Sequence, residues 1–467
     1  MSAGAFPSIS RYFRCDEGLL NLKTGGILSE RPGFFRFSDA VCFGKSTDGV
    51  LSSSPGRDLH DLSRYVLLNG GSIALPFDVE EVLRNLREER YSTCSAGPGL
   101  SNGLIRDLYY AVRPWMPLGV RKRLQRIYLR GWENVPFPHW PVDRTADLLL
   151  QRLLALALTS NQAESIPLIW FWPEGAKACA LMTHDVEAVP GKEFCSSLMD
   201  INDSFDIPAS FQIVPEERYS VEPNFLEEIK RRGFEVNVQD LNHDGKLFLQ
   251  RTEFERRVKA INRYGREYGA VGFRSAVLYR NEEWFNLLEF EYDMSVPSVA
   301  HLDPQRGGCC TIMPYFIGNL LELPVTMTQD HSLFNVLNDF TLELWQRQIQ
   351  LILKNHGLMN FIVHPDYILT SKAQRAYKEL LASLVKLRTD DGLWIALPRD
   401  VNLWWRQRDR MVLSRRGDDW TIEGEGSERA RLAFASLEGN ELVFSVRNRT
   451  ESGAAVTTSR CSTSNPN

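Results

Sequence analysis

Two acids one residue apart, Asp185 and Glu187, stand where an apolar run stops in Met182-Thr183-His184-Asp185-Val186-Glu187. Side chains on a strand alternate between its faces, so both acids project from the same side and could share one metal-bound water. Carboxylate oxygens are competent ligands for zinc, and a carboxylate beside such a water can take its proton. A strand that ends abruptly in acids, inside a repeating strand and helix pattern, is where barrel enzymes place their chemistry. Polar side chains recur where other apolar runs stop: Gln239 and His243, Arg274, Asp293, Thr326, and His364 with Asp366.

These groups form one site only if the strand ends meet. Between about 176 and 401 the chain alternates short apolar runs with helix-period segments, the pattern of a parallel sheet built from strand and helix units. The runs 178–183, 209–214, 235–239, 270–274, 292–296, 320–325, 360–364 and 393–398 read as strands. Segments 194–205, 224–232, 253–268, 282–290, 342–355 and 371–387 read as the connecting helices. In 253–268, Phe254, Val258, Ile261 and Tyr264 recur at spacings of three and four and lay one apolar face along the sheet. An open doubly wound sheet would use the same alternation, but no glycine-rich phosphate loop follows any strand. A barrel also brings all the polar strand ends to one mouth. The expected fold is therefore α/β, a distorted (β/α) barrel of seven to eight strands.

The five segments Thr183-His184-Asp185-Val186-Glu187, Gln239-Asp240-Leu241-Asn242-His243, Gly272-Phe273-Arg274, Tyr292-Asp293 and Phe361-Ile362-Val363-His364-Pro365 follow one another at successive strand ends. In order and approximate spacing they resemble the five motifs of the polysaccharide deacetylase (NodB homology) superfamily, over roughly residues 176–401. The resemblance implies a metal-dependent hydrolase, often using zinc, that removes acetyl groups from N- or O-acetylated carbohydrates. It makes Asp185 the general base, Arg274 the group that orients it, and His364 the general acid. The first-motif ligand falls on Val186, which cannot ligate, or on Glu187. The second motif puts His243 on the metal and Gln239 where the family has its first histidine. A glutamine carbonyl is a weaker ligand than imidazole, so affinity falls or preference shifts toward harder ions. In the fourth motif Asp293 is the candidate to orient His364. The family's proline and glycine after the arginine are replaced by Ser275-Ala276-Val277. His301 and His331 fall in loops at the same mouth and could complete the site.

The rest of the chain bounds the reading. It has 467 residues, a hydrophobic fraction of 43% and a charged fraction of 24%, as in ordinary globular proteins. A net charge of −5 gives no reason to expect nucleic acid. Arg11, Arg14, Asp16 and Glu17 interrupt any signal-peptide core near the start, and the longest apolar stretch, 146–159, is too short to span a bilayer. Eight cysteines without a CxxC pair suit reduced thiols, and a cytoplasmic location is expected. Residues 1–165 read as an N-terminal α+β region. In it, 79–90 is an amphipathic helix, and 106–130 interleaves Arg106, Arg113, Arg121, Lys122, Arg123, Arg126 and Arg130 with aromatics. That basic segment suits a solvated helix, or peripheral contact with an anionic membrane or an acidic polysaccharide. The stretch Pro136-Phe137-Pro138-His139-Trp140-Pro141 reads as a linker against the barrel, which spans 166–402. A small β appendage over 403–448 and a disordered Ser/Thr/Gly tail over 449–467 complete the chain. Two alternatives keep the fold and change the function: a barrel that lost catalysis and binds or scaffolds carbohydrate, and an amidohydrolase for a non-sugar amide. Nothing in the sequence sets the oligomeric state.

Overall fold

The computed structural model describes residues 7–56, 58–69, 72–92, 129, 131–417, 419–447 and 456–460. Ala178–Val186 is buried along all nine residues because it is paired on both edges and covered on both faces. One edge takes Leu358–Ile362 in parallel. The other takes Ala209–Ile213 along its outgoing half and Leu393–Ala396 along its incoming half. The sheet continues through Glu235–Gln239, Gly272–Arg274, Tyr292–Asp293 and Leu320–Glu322 to an antiparallel edge strand, Tyr315–Ile317. All eight expected strands are present; the ninth was not anticipated.

The curl of this sheet is closed by side chains instead of a ladder. Thr326 Oγ1 donates to Leu358 O at 2.6 Å and accepts from Asn360 N at 3.0 Å, while Asn360 Nδ2 reaches Leu323 O at 2.9 Å. The result is the distorted (β/α) barrel that the strand pattern implied. Gly272 is required here: a Cβ on it would lie 2.3 Å from the Tyr292 ring, which crosses over it.

Helices cover the outer face. Arg251–Tyr268 buries Phe254, Val258 and Ile261 along one stripe and stops at Gly269, whose φ of 61° is the left-handed cap. Each of those side chains contributes about 1.5–3 kcal/mol on burial. The expected helix over 282–290 is instead a 3-10 stretch, Glu282–Leu287. Its two buried anchors, Glu282 and Phe285, are three residues apart, the spacing at which a 3-10 helix stacks side chains.

The N-terminal region holds a three-stranded sheet of Leu22–Thr24, Ser72–Leu75 and Leu67–Asn69, the hairpin Gly33–Phe37 with Ala40–Gly44, and the helix Val79–Arg87. The apolar stretch 146–159 lies within a buried helix, Thr145–Asn161. No helix among the described residues is long and apolar enough to cross a membrane. The basic segment 106–130 lies outside the described residues except for Leu129. A polar seam joins this region to the barrel, where Arg280 grips the Glu89 carboxylate with Nε, at 2.6 Å, and Nη2. Beside them Glu282 is pushed up to about 8 by burial and by the Glu89 charge.

Two features at the C-terminal side depart from expectation. Ile166–Ile169, inside the expected barrel bounds, pairs with Leu432–Glu438, which pairs in turn with Glu441–Arg447. Val456–Arg460, expected to be disordered, forms a further strand on Glu441–Arg447. The β-branched run Val456-Thr457-Thr458 outweighs the polar composition around it.

Candidate active site

Pairing register decides which groups share the barrel's inner face. Asp185 lies beside Gln212 and Arg274 beside Gln239, so these side chains project to the same side. Asp185 Oδ1 accepts from Arg274 Nη1 at 2.5 Å, and the same nitrogen donates to Thr183 Oγ1 at 2.8 Å. Arg274 Nε donates to Met294 O at 3.0 Å, which fixes the guanidinium plane. Both side chains are buried, so the pair holds the carboxylate in a fixed orientation.

Glu187 Oε1 is the point where the other groups converge. His243 Nε2 lies 2.7 Å away, Gln239 Nε2 3.0 Å and His364 Nε2 3.5 Å. Burial pushes the Glu187 carboxyl up, but the two imidazoles outweigh it and hold the group well below the ordinary carboxylate range. His364 is held from behind by Asp330, which accepts from Nδ1 at 2.7 Å and from the His364 backbone N–H at 2.8 Å. Burial opposes the charge on His364; Asp330 and then Glu187 outweigh it and raise the imidazole well above its usual value. Asp330 is itself raised by burial, against the pull of His364.

His243 sits on a strained loop. Asp240 and His243 adopt φ of 51° and 55°, conformations that cost non-glycine residues about 1–3 kcal/mol each. Arg257 braces this loop through Asp244, at 2.7 and 2.8 Å, and Asn242. Arg218 Nη2 lies 3.4 Å from His243 Nδ1. The other ring nitrogen, Nε2, is the one that faces Glu187.

Gln239 Nε2 donates to Asp185 Oδ2 at 3.1 Å as well as to Glu187, so one amide ties the two acids together. Its Oε1 is buried without a partner among the described residues. Ligand atoms of Asp185, Glu187 and His364 lie within 4.8 Å of one another, and His243 Nε2 makes no aligned hydrogen bond. Carboxylate oxygens and imidazole nitrogens this close are donors that could hold a divalent ion.

Six of the seven residues expected at the site are brought together: Asp185, Glu187, Gln239, His243, Arg274 and His364. Asp293 is not among them. It pairs beside Phe273, one register position from Arg274, and so faces the other side of the sheet. There its carboxylate is bound by Ser295 N at 2.8 Å and Oγ at 2.7 Å and is pushed up by burial beside Glu322. The carboxylate behind His364 is Asp330, whose signal was its place before the helical turn His331–Leu337. His301 stacks on Trp140, with ring centroids 5.8 Å apart. Tyr367 lies against both His331 and His364, at 5.4 and 4.8 Å. His184, within the first motif, turns to the helices and is held by Val363 O and Asn202. Burial lowers it to about 4.

No protein-family model and no curated protein matches the chain. Solved structures do, and several of them are described as polysaccharide deacetylases. A protein from Mycobacterium smegmatis described as a polysaccharide deacetylase is 20% identical, aligned over 51% of this chain and 93% of its own, with a TM-score of 0.42. A substituted form of the peptidoglycan deacetylase PdaC from Bacillus subtilis is 12% identical over 51% of this chain and 96% of its own, at 0.34. A mutant CE4-family pseudoenzyme with restored enzymatic activity is 15% identical over 48% of this chain and 67% of its own, at 0.32.

Proposed function

We propose that this chain is a hydrolase that removes acetyl groups from an N- or O-acetylated carbohydrate. The observation that carries the reading is the pairing of two proton-transfer groups across Glu187: Asp185 held by Arg274, and His364 held by Asp330. Asp185 is oriented by Arg274, as a base that takes a proton from water must be. His364 is kept protonated and aimed at the same space, as an acid that gives its Nε2 proton to the leaving nitrogen or oxygen must be. Leu278, Val325 and Ile362 form a small apolar cluster, and Ile362 pairs beside Thr183 on the sheet face that carries Asp185, a suitable wall for an acetyl methyl group. Glu187 and His243, with Oε1 of Gln239 if its amide turns over, would hold a divalent ion, zinc or a harder one. Such an ion, when bound, polarises the acetyl carbonyl and acidifies water.

A second reading, a carbohydrate-binding protein without catalysis, is favoured by the amide of Gln239. It already bridges Asp185 and Glu187, and the Arg218 guanidinium lies beside the His243 ring. Elemental mass spectrometry of the purified chain, beside acetate release from acetylated chito- and xylo-oligosaccharides, separates the two. Bound metal lost in Glu187→Ala, together with acetate release, is the expected result. An absence of both in the native chain, with metal gained in Gln239→His, would establish the second reading.

A further inference from the structure

The loops 297–303 and 325–332 leave the C-terminal ends of two barrel strands, as His364 does, so they rim the same mouth. Over them close Trp140 and Pro141, which come from the N-terminal region, and a pocket is left between. Trp140 is backed by the stacked ring of His301 and by the edge of Trp132 at 4.9 Å.

Inside, Thr328 is fixed through its backbone. Its N–H donates to Gln348 Oε1 at 3.1 Å, and its carbonyl accepts from Trp345 Nε1 at 2.7 Å. Its hydroxyl is buried and has no partner among the described residues. Leaving a buried hydroxyl unbonded is costly, which calls for a ligand group or a water at this point. Asp303 lines the same pocket and accepts from Gln329 Nε2 at 2.9 Å. Burial pushes Asp303 up to about 6. Gln329 in turn precedes Asp330, the residue that holds His364. The space is little larger than one water-sized group, too small for a sugar ring but right for a single hydroxyl-bearing arm.

We propose that this pocket is a sugar subsite that takes the hydroxymethyl arm of a hexose unit, bonded by Thr328 Oγ1 and Asp303, with the ring against Trp140. The proposal rests on the carbohydrate reading above and adds a preference to it: hexose polymers over pentose polymers, which lack that arm. Thr328 and Asp303, which set the preference, belong to the barrel, while Trp140, which lies outside the segment that carries the family resemblance, adds contact with either sugar.

Cellotetraose and xylotetraose test it, since neither carries an acetyl group and binding is read without turnover. Calorimetric titration of the full chain is expected to show cellotetraose binding about tenfold more tightly, the worth of one hydrogen bond to a buried group. Thr328→Val, which keeps the shape and removes the hydroxyl, should bring the ratio close to one without lowering the melting temperature. Trp140→Leu should weaken both sugars. Equal affinities in the native chain, no binding of either sugar, or a ratio unchanged in Thr328→Val overturns the subsite. A hexose preference without acetate release leaves the subsite standing and removes the hydrolase reading; acetate release without the preference does the reverse.

Discussion

Two buried arginine–carboxylate pairs serve this molecule differently. At the mouth Arg274 holds Asp185, whose second oxygen is shared with the Gln239 amide, with Glu187 and two imidazoles close by. At the seam Arg280 takes both oxygens of Glu89, with Glu282 and Asp303 pushed up around it. The mouth pair takes one oxygen of Asp185 and leaves the other to a neutral amide, with Glu187 and His364 within 4.8 Å. The seam pair spends both on one cation and ties the N-terminal region to the barrel. The same two residue types therefore build a polar cluster in one place and a closed tie in the other, according to what shares the carboxylate's second oxygen.

That contrast is open to direct attack. Asp185→Asn should lower turnover by about 100- to 10,000-fold, the usual worth of positioned proton transfer. Its melting temperature should move little, because the asparagine still accepts from Arg274; acetate release and calorimetry on one preparation check both. Arg280→Met should do the opposite. Leaving Glu89 buried and unpaired costs about 3–5 kcal/mol in denaturant unfolding, with turnover per folded molecule unchanged. Asp330→Asn keeps the shape behind His364 but removes its charge, and activity should fall about 10- to 100-fold.

The remaining effect is a pH slope, small at any one step of pH. Glu282 titrates at about 8 in the folded chain against an ordinary 4.5, so the native state keeps a proton that the unfolded chain sheds between those values. Stability from this group is complete below pH 4.5 and is lost as pH rises to 8. Glu282→Gln should therefore gain on the native chain across that window, by up to about 1.4 kcal/mol per pH unit. Parallel curves for the two would remove Glu282 from the seam's proton balance.

Much of the barrel was legible because apolar runs of strand length stop at polar residues, and that pattern survives without knowledge of neighbours. Glu235–Gln239 was read to the residue. Asp293 shows the limit: the right strand was found, but a one-place register reverses the face, and register depends on pairing with Phe273. Asp330 was passed over because its role depends on a loop returning to His364 across 34 residues. Arg218 went unnoticed for the same reason, its partner being in another loop. The resemblance named Gln239 as the unusual residue, but only coordinates reveal that its amide joins the two acids.

The pairing of Ile166–Ile169 with Leu432–Glu438 has a practical corollary. A piece trimmed to the deacetylase-like segment would lose the sheet that shields Phe171 and Trp170, both of which lie against Phe444. It would carry a bare aromatic face, and any version retaining Ile166–Ile169 would also present an open strand edge, a ready template for aggregation. Tyr12 and Ile169 both give their carbonyls to Arg408, so the front of the chain is fastened to the same place. The smallest autonomous folding unit is therefore larger than the barrel, and its two flanks are part of that unit rather than ornaments on it.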